Sequence, residues 1–339
     1  MEAELARYLA HRLEGASEVT ISNLSRIPGG ASRETWRFDA SWEVGGVAQS
    51  EGFIVRKDPP ASLVESDRAV EYAFYGAFEG TSVPVPRMRW LEEEASHLGA
   101  PFFIMERIDG CEANTRALQT PAFDASRDGV ARRFYAILAE IGRLPWESSP
   151  IAAVMGAPAP GDCWKRELGY WEGMIDANEL SPQPIARAAI RWLRANPPPP
   201  PAHVGPVHGD YRVGNFLYTR EGEIRAILDW EMAHLGDPLE DLAWSFMELW
   251  EWGRSGYPGG IVLTEDAIRY YEEAAGTTVD RDALHWWLVF SCVKGQGIWL
   301  TGARSFQEGR SRELIHAFTS HNLINTQDEA ILRAMGRGA

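Results

Sequence analysis

The sequence predicts an α+β protein with two unequal lobes, a small antiparallel-sheet lobe at the N-terminus and a larger, mainly helical lobe after it. Its 339 residues are 45% hydrophobic and 24% charged, which is enough for a large core and exceeds the usual size of one simple domain. Strand-like segments are concentrated in the first hundred residues. After residues 102–105 the patterns become mainly helical. We therefore expect the first lobe to span residues 1–105 and the second to span residues 106–339.

The first lobe opens with an amphipathic segment, residues 1–13, whose mixture of charged and apolar side chains indicates a surface helix rather than a signal peptide. Gly45-Gly46 predicts a tight hairpin turn, because glycine adopts the positive φ angles that such turns need. The pattern predicts three strands and then a helix, at residues 19–27, 35–44, 47–56 and 66–78.

Composition and charge exclude several classes of protein. The net charge of −15 and the sequence pI near 5.1 disfavour nucleic acid and anionic membranes as partners, since both need clustered Lys and Arg. The longest apolar run, near residues 286–293, is too short to span a bilayer, so we expect a cytoplasmic protein. Three widely separated cysteines support neither a disulfide framework nor a zinc site.

The most informative segment is a predicted hairpin in the second lobe. Residues 216–219 and 224–228 have the pattern of two short strands, with Gly222 at the turn between them. Antiparallel pairing of these strands brings their open ends together, so Asn215 and Asp229 should lie side by side. Asp210 precedes Asn215 by five residues and should lie a loop's length away.

These three side chains suit phosphoryl transfer. An amide and a carboxylate that converge on one point can hold Mg²⁺, and a second carboxylate nearby can orient a hydroxyl group. Any one of these residues alone is more often a turn residue, because Asp and Asn fill loops for local hydrogen-bonding reasons. The ordered set of all three around one hairpin is what favours a site.

The same segment resembles a known family. His208-Gly209-Asp210, Asn215, residues 227–230 and residues 235–244 together resemble the phosphotransferases of the aminoglycoside/choline kinase type. Residues 229–244 are most similar to the branch of kinase-like domains found beside acyl-CoA dehydrogenases. The resemblance implies a two-lobed protein-kinase-like fold, ATP or alternatively GTP as the donor, and Mg²⁺ held by Asn215 and Asp229, with Asp210 as the catalytic base.

Two further roles follow from the resemblance. It implies that His208 shapes the catalytic loop by packing and hydrogen bonding and is not the base. It also implies that the Asp241 carboxylate braces this loop through backbone N–H groups.

The resemblance also places the nucleotide phosphates in the first lobe. Gly29, Gly30 and Ser32 lie at a hairpin tip, where backbone N–H groups can approach phosphate oxygens. Arg56 stands where the family carries its phosphate-binding Lys, although Lys57 is adjacent. Neighbouring side chains of a strand point to opposite faces, so only one of the two can enter the cleft.

We expect Arg56 to be that residue, and Glu71 on the following helix to pair with it. Lys57 would then be a solvated strand end. The alternative interpretation of Glu71 is an ordinary exposed helix charge.

Residues 104–110 resemble the strand and hinge between kinase lobes. The carbonyl of Glu106 and the N–H of Ile108 would then hold adenine. Three apolar residues either enclose the base or belong simply to the core of the first lobe: Ile27, Ile54 and Met105.

The predicted function is transfer of the γ-phosphoryl group to a hydroxyl of a small molecule. The Trp-rich C-terminal helices offer apolar and aromatic surface for an acyl chain or ring, and Lys294 is expected to meet an anionic group of the acceptor. Because residues 229–244 resemble the branch found beside acyl-CoA dehydrogenases, the resemblance implies a hydroxyacyl-CoA or a related metabolite as acceptor. An aminoglycoside is the alternative acceptor. A nucleotide-binding pseudokinase and a metal-dependent phosphohydrolase are alternatives of other classes, and the oligomeric state is left open.

Overall fold

The structure is a computed structural model that describes residues 1–27, 34–58, 67–311 and 314–336. Its N-terminal lobe is built on a five-stranded antiparallel sheet with the strand order β1-β2-β3-β5-β4. The strands are β1 (Ala16–Arg26), β2 (Glu34–Val44), β3 (Val47–Lys57), β4 (Met88–Glu92) and β5 (Phe102–Glu106).

Glycine conformation and cross-strand pairing determine the central hairpin. Gly45 and Gly46 both have positive φ angles, of 59° and 80°, so the turn between β2 and β3 closes with Val44 opposite Val47. The first strand begins at Ala16, three residues earlier than the pattern predicts. Ala16 pairs with Val44, so the sheet extends to the end of β2.

The two faces of the sheet are covered by different helices. On the outer face, Leu5, Tyr8 and Leu9 of α1 (Glu2–Arg12) pack against Phe53 and Val55 of β3. On the inner face, Ile54 joins the main core together with α2 (Arg68–Phe78). Strand alternation therefore directs the side chain of Arg56 to the same inner face as Ile54.

The second lobe is mainly helical. Its two small antiparallel pairs join β6 (Gly205–Val207) to β9 (His234–Gly236), and β7 (Phe216–Tyr218) to β8 (Ile224–Ile227). The helices are α3 (Arg127–Gly142), α4 (Ile151–Val154), α5 (Cys163–Asn178), α6 (Pro184–Ala195), α7 (Leu239–Ser245), α8 (Thr264–Ala275), α9 (Arg281–Gln307), α10 (Leu314–Phe318) and α11 (Ile324–Ala334).

Helix α9 is the centre of this lobe. It runs for 27 residues and packs against α5, α6, α7 and α11, and its Trp286 and Trp287 are buried. Within the described part of the chain, no helix combines the length and apolar character that a membrane crossing requires. The fold is thus a small sheet lobe on a large helical lobe, as the sequence predicts.

Candidate active site

A cleft of about 600 Å³ lies between the two lobes. Its apolar lining includes Ile27, Ile54 and Met105 from the first lobe and Leu217 and Leu228 from the second. The cleft thus presents apolar surface from both lobes, as a site for a flat ring would.

The connection between the lobes forms one wall of this cleft. Glu106 and Ile108 both line the wall, at the positions where the resemblance places the backbone groups for adenine. Arg107 between them binds Asp39 on β2 at 2.6 Å and Asp109 at 2.7 Å. The ion pair with Asp39 fastens the connection to the sheet. Gly29, Gly30 and Ser32, expected above the phosphates, lie outside the described residues.

Arg56 is the buried cation of the cleft. Its Nη1 donates to Glu71 Oε1 at 2.8 Å, and its Nη2 donates to Asp229 Oδ1 at 2.6 Å. Glu71 is fully buried, whereas about a third of the Asp229 side chain is exposed. The Arg56 guanidinium is therefore anchored from behind by Glu71 and directed towards Asp229 in the cleft.

Lys57 points away from this site. Its Nζ lies 3.4 Å from Glu34 Oε2 on the neighbouring strand, and it does not line the cleft. The structure thus brings Arg56 and Glu71 together, and it places Lys57 on the opposite face of β3.

The β7–β8 hairpin brings Asn215 and Asp229 side by side. Phe216 pairs with Ile227, and the Leu228 N–H donates to the Asn215 carbonyl at 2.8 Å. Asp229 adopts a left-handed conformation with φ of 71°, and its N–H donates to Tyr75 Oη at 2.9 Å. A strained backbone held by such contacts is typical of functional positions.

The protonation of Asp229 suits a metal ligand. Burial disfavours the charged carboxylate, but the Arg56 guanidinium outweighs burial and holds the pKa of Asp229 below its ordinary value. Together with the amide oxygen of Asn215 it offers hard oxygen donors at an open cleft, and this donor set fits Mg²⁺. The two residues could therefore hold a magnesium ion.

Three donors hold the Asp210 carboxylate. Asn215 Nδ2 donates to Oδ2 at 2.7 Å, and Trp244 Nε1 donates to Oδ1 at 2.7 Å. Arg212 Nε lies 3.1 and 3.2 Å from the two oxygens, and its guanidinium stacks 4.6 Å from the centre of the Trp250 ring. The carboxylate is thus fixed next to the amide of Asn215, a residue that lines the cleft.

Sequence reasoning did not assign Arg212 or Trp244 to the site. Arg212 lies two residues after Asp210, and Trp244 is the last residue of the 235–244 motif, so both lie between the first and last residues of the family motif. An available signal for Trp244 was its indole N–H, which needs an acceptor when the ring is buried.

Buried backbone contacts support the catalytic loop. The Asp241 carboxylate accepts from the N–H groups of His208 and Gly209, at 2.6 and 2.9 Å, which is the predicted brace. His208 Nε2 lies 2.9 Å from the Leu228 carbonyl, and burial lowers the pKa of His208 to about 4. A neutral, buried imidazole in this position ties the loop to the hairpin, as the resemblance implies.

Gly209 must be a glycine for two reasons. Its φ of 83° lies in the left-handed region, and a Cβ atom there would collide with the Met232 carbonyl oxygen. The close approach of the loop to the segment after Asp229 depends on the missing side chain.

A buried ionic network lies behind the loop. Lys294 Nζ donates to the Gly209 carbonyl at 2.6 Å and to Glu240 Oε1 at 2.9 Å. Glu240 Oε2 lies 3.1 Å from His234 Nε2, which in turn lies 3.6 Å from Glu167 Oε1. Lys294 is 1% exposed, so the expectation that it meets an anionic group of the acceptor is wrong: its charge is balanced by Glu240.

This network favours the protonated form of His234. Burial opposes the charged imidazole of His234, but Glu167 and Glu240 outweigh it and raise its pKa to about 9. Glu167, His234 and Glu240 lie within 4.8 Å of one another, a spacing that would suit a metal ion. The Lys294 ammonium and the protonated imidazole already supply the positive charge there, so the cluster is an ion-pair network.

Residues 23–287 match the model of the phosphotransferase enzyme family. The chain belongs to this family. It is 27% identical to acyl-CoA dehydrogenase family member 11 of Pongo abelii over 311 residues, 87% of this chain and 38% of the relative. It is 31% identical to acyl-CoA dehydrogenase family member 10 of Mus musculus over 196 residues, 57% of this chain and 18% of the relative. The chain spans less than half the length of these relatives.

Solved structures with the same fold are aminoglycoside phosphotransferases. A Ralstonia eutropha protein assigned to that group has a TM-score of 0.73 at 21% identity, over 98% of each chain. A thermostable mutant of APH(4)-Ia, in ternary complex with ADP and hygromycin B, has a TM-score of 0.61 at 17% identity, over 99% of this chain and 100% of that one. These likenesses establish the kinase-like fold.

Proposed function

We propose that this protein is a Mg²⁺-dependent kinase that transfers the γ-phosphoryl group of ATP to a hydroxyl of a small molecule. The observation that carries the proposal is the arrangement of Asp210, Asn215 and Asp229. The amide of Asn215 donates to the fixed carboxylate of Asp210, and the Asn215 backbone pairs with Leu228, the residue before the left-handed Asp229. Asn215 and Asp229 line the same cleft as Arg56. Few other chemistries require a base, two oxygen ligands and a buried cation in this order.

Each residue has one part in the proposed reaction. The connection at Glu106 and Ile108 binds the adenine, and Arg56, anchored by Glu71, positions the α and β phosphates. Asn215 and Asp229 would hold Mg²⁺, which would neutralise charge on the phosphates. The acceptor oxygen forms a bond to the γ-phosphorus as the bond from that phosphorus to the bridging oxygen breaks. The hydroxyl proton passes to Asp210, and ADP leaves.

For the acceptor we propose a hydroxyacyl thioester or a related hydroxylated metabolite. The support is similarity over 87% of the chain to a protein whose name includes acyl-CoA dehydrogenase. The likeness to aminoglycoside phosphotransferases is at 21% identity or lower in the structures described above, which supports the fold and not the acceptor. An aminoglycoside acceptor is therefore the second candidate, and GTP is the second candidate donor.

The alternative of a pseudokinase has weaker support. Asp210, Asn215 and Asp229 are all present, and a chain that has lost catalysis would be free to lose them. A phosphohydrolase would need further metal ligands beside Asn215 and Asp229. In the described part of the chain, the one grouping with metal-ligand spacing is the Glu167–His234–Glu240 network, where Lys294 already supplies the charge.

The test is a coupled ATP-consumption screen of 3- and 4-hydroxyacyl-CoA thioesters, kanamycin and choline. Thermal shifts with ATP, with and without Mg²⁺, are measured in parallel. We expect Mg²⁺-dependent stabilisation by ATP and saturable turnover with a thioester. Nucleotide binding without turnover of any acceptor would favour the pseudokinase, and release of phosphate without acceptor would favour the phosphohydrolase.

A further inference from the structure

Arg212 is a cation of the second lobe that lines the nucleotide cleft. It does so beside Gly214, Asn215 and Asp229, and its side chain is 22% exposed. Arg56 enters the same cleft from the first lobe. Two arginines thus face the region where the charged end of a nucleotide would lie, one from each lobe.

The guanidinium of Arg212 holds Asp210 through Nε alone. That atom lies 3.1 and 3.2 Å from the two carboxylate oxygens of Asp210. Nη1 and Nη2 make no hydrogen bond or ion pair with any residue that the structure describes. An arginine that serves only to hold a carboxylate frequently forms a bidentate pair with it, using two nitrogens for two oxygens. The two Nη groups of Arg212 are therefore left for another anion.

Two neighbouring residues fix the plane of this guanidinium. Its central carbon lies 4.6 Å from the centre of the Trp250 ring, and stacking on an aromatic face favours one orientation. Gly214 has a φ of 123°, and a Cβ atom there would lie 2.7 Å from Nη1 of Arg212. The catalytic loop thus has no side chain at the place where one would displace Nη1. That nitrogen lies close to the residue directly before Asn215.

The γ-phosphoryl group would lie between Asp210 and the proposed metal ligands. A kinase metal ion bridges the β and γ phosphates, and the base contacts the acceptor oxygen that attacks the γ-phosphorus. Arg212 extends from Asp210 to Gly214, next to the proposed ligand Asn215. It therefore spans the two ends between which the γ-phosphoryl group is transferred.

We infer that Arg212 is a catalytic residue that donates through Nη1 and Nη2 to oxygens of the γ-phosphoryl group. This inference rests on the proposed phosphotransferase function. It divides the phosphates between two arginines, with Arg56 at the α and β phosphates and Arg212 at the γ phosphate.

Arg212 forms and breaks no covalent bond in this reaction. The acceptor oxygen bonds to the γ-phosphorus as the bond to the bridging oxygen breaks, the hydroxyl proton passes to Asp210, and the guanidinium stays protonated throughout. Charge-assisted hydrogen bonds to the transferring oxygens stabilise the transition state. Because Nε stays on Asp210, one rigid group holds both the base and the phosphoryl group.

Binding of AMP-PNP and of ADP, each with Mg²⁺, tests this contact without an acceptor. AMP-PNP carries a γ-phosphoryl group, and ADP does not. Arg212→Gln should weaken binding of AMP-PNP by about tenfold or more and leave binding of ADP unchanged, because a hydrogen bond between charged groups is lost only from the AMP-PNP complex. Isothermal titration calorimetry measures both dissociation constants.

Two other arginines provide the controls. Arg56→Ala should weaken AMP-PNP and ADP together, since Arg56 is placed at the phosphates that both nucleotides carry. Arg225→Gln removes the same charge from an exposed position on β8 and should change neither constant. Arg225 lies 3.5 Å from Glu223 at the surface and does not line the cleft.

A second variant covers the case in which Arg212→Gln does not fold. Arg212→Lys keeps the positive charge beside Asp210 and lacks the planar fork. It should also weaken AMP-PNP selectively, to a smaller extent. Thermal melting of each variant shows whether it is folded.

Turnover gives an independent measurement once the ATP-consumption screen has identified an acceptor. Arg212→Gln should lower kcat by about 10²-fold or more, as the loss of one preorganised donor does, and leave the KM for the acceptor unchanged. Methylguanidinium added to Arg212→Ala should restore part of the lost kcat, because it can donate from the vacated position. A residue that serves the fold alone would show no such rescue.

The outcomes separate the inference from the proposed function. If Arg212→Gln weakens AMP-PNP and ADP equally, or weakens neither, the inference is overturned and the kinase assignment stands. A higher KM for the acceptor, with the two nucleotide constants unchanged, would place Arg212 on the acceptor and overturn it as well. Absence of Mg²⁺-dependent binding of either nucleotide to the parent protein would instead overturn the proposed function, and the inference with it.

Discussion

The indole Nε1 of Trp244 donates a 2.7 Å hydrogen bond to Oδ1 of Asp210. Trp244 belongs to α7, the helix whose Asp241 also binds the backbone of the catalytic loop. One helix therefore positions both the backbone of the loop and the carboxylate that it carries. Because a carboxylate orients a hydroxyl well only when it is itself fixed, we assign part of the proposed catalysis to this helix.

Asp210→Asn should abolish turnover and leave Mg-ATP affinity nearly intact. The base acts on the acceptor, and a general base contributes about 10²–10⁴-fold to a rate. Single-turnover rates and ATP titration by calorimetry measure the two effects separately. Near-normal turnover in this variant would remove Asp210 from its role.

Arg56→Ala and Lys57→Ala should differ in their effects on the KM for ATP and on kcat. We expect Arg56→Ala to raise the KM for ATP and lower kcat, with a combined effect of about tenfold or more, since a charge-assisted hydrogen bond contributes about 1.5–3 kcal/mol. Lys57→Ala should be close to neutral, because Lys57 faces Glu34. Steady-state kinetics of both variants is the measurement, with Arg56→Lys to distinguish loss of charge from loss of geometry. A reversed order would contradict the assignment of Arg56 to the phosphates.

Asp229→Ala should weaken Mg-ATP binding and turnover together. The substitution removes the carboxylate ligand proposed for the metal. Turnover measured across a Mg²⁺ titration should show a higher half-saturating concentration than in the parent. An unchanged Mg²⁺ dependence would count against Asp229 as a ligand.

Lys294→Met should destabilise the protein and slow catalysis. Removing one member of a buried ion pair costs about 3–5 kcal/mol, because the carboxylate of Glu240 is left unpaired. The double variant Lys294→Met/Glu240→Gln should recover much of the thermal stability, since no unpaired charge is buried.

The kcat of the Lys294→Met/Glu240→Gln variant should stay low, because the Gly209 carbonyl still lacks the hydrogen-bond donor that Lys294 supplies. Lys165→Met, on the exposed side of α5, is the control. Recovery of kcat together with stability would show that Lys294 serves the fold alone.

The sequence predicted those parts of the site that depend on short separations. Asp210, Asn215 and Asp229 lie within 20 residues around one hairpin, so strand pairing alone brings the last two together. Strand alternation similarly separates Arg56 from Lys57, and one helix brings Glu71 behind Arg56. The predicted strands and α2 also match closely, because glycine turns and an N-cap at Asp67 define their ends.

The parts that the sequence did not predict depend on helix packing. Lys294 is 85 residues from Gly209 along the chain, and it reaches the catalytic loop because α9 packs against α7. Glu167 and His234 likewise meet between α5 and β9. Hydrophobic periodicity within one helix or strand does not predict which side chains of distant elements will contact each other. A lone Lys or His in a helix or loop is more often solvated.

Arg56 also connects the two lobes, since Glu71 belongs to the first and Asp229 to the second. The two ion pairs of Arg56 therefore join the lobes to each other before a ligand binds. A triphosphate that binds Arg56 has to replace Asp229 on the guanidinium, so loss of the Arg56–Asp229 ion pair offsets part of the attraction to the phosphates. Asn215 and Asp229 would hold Mg²⁺, and the positive charge of that ion would compensate the Asp229 carboxylate for the loss of Arg56.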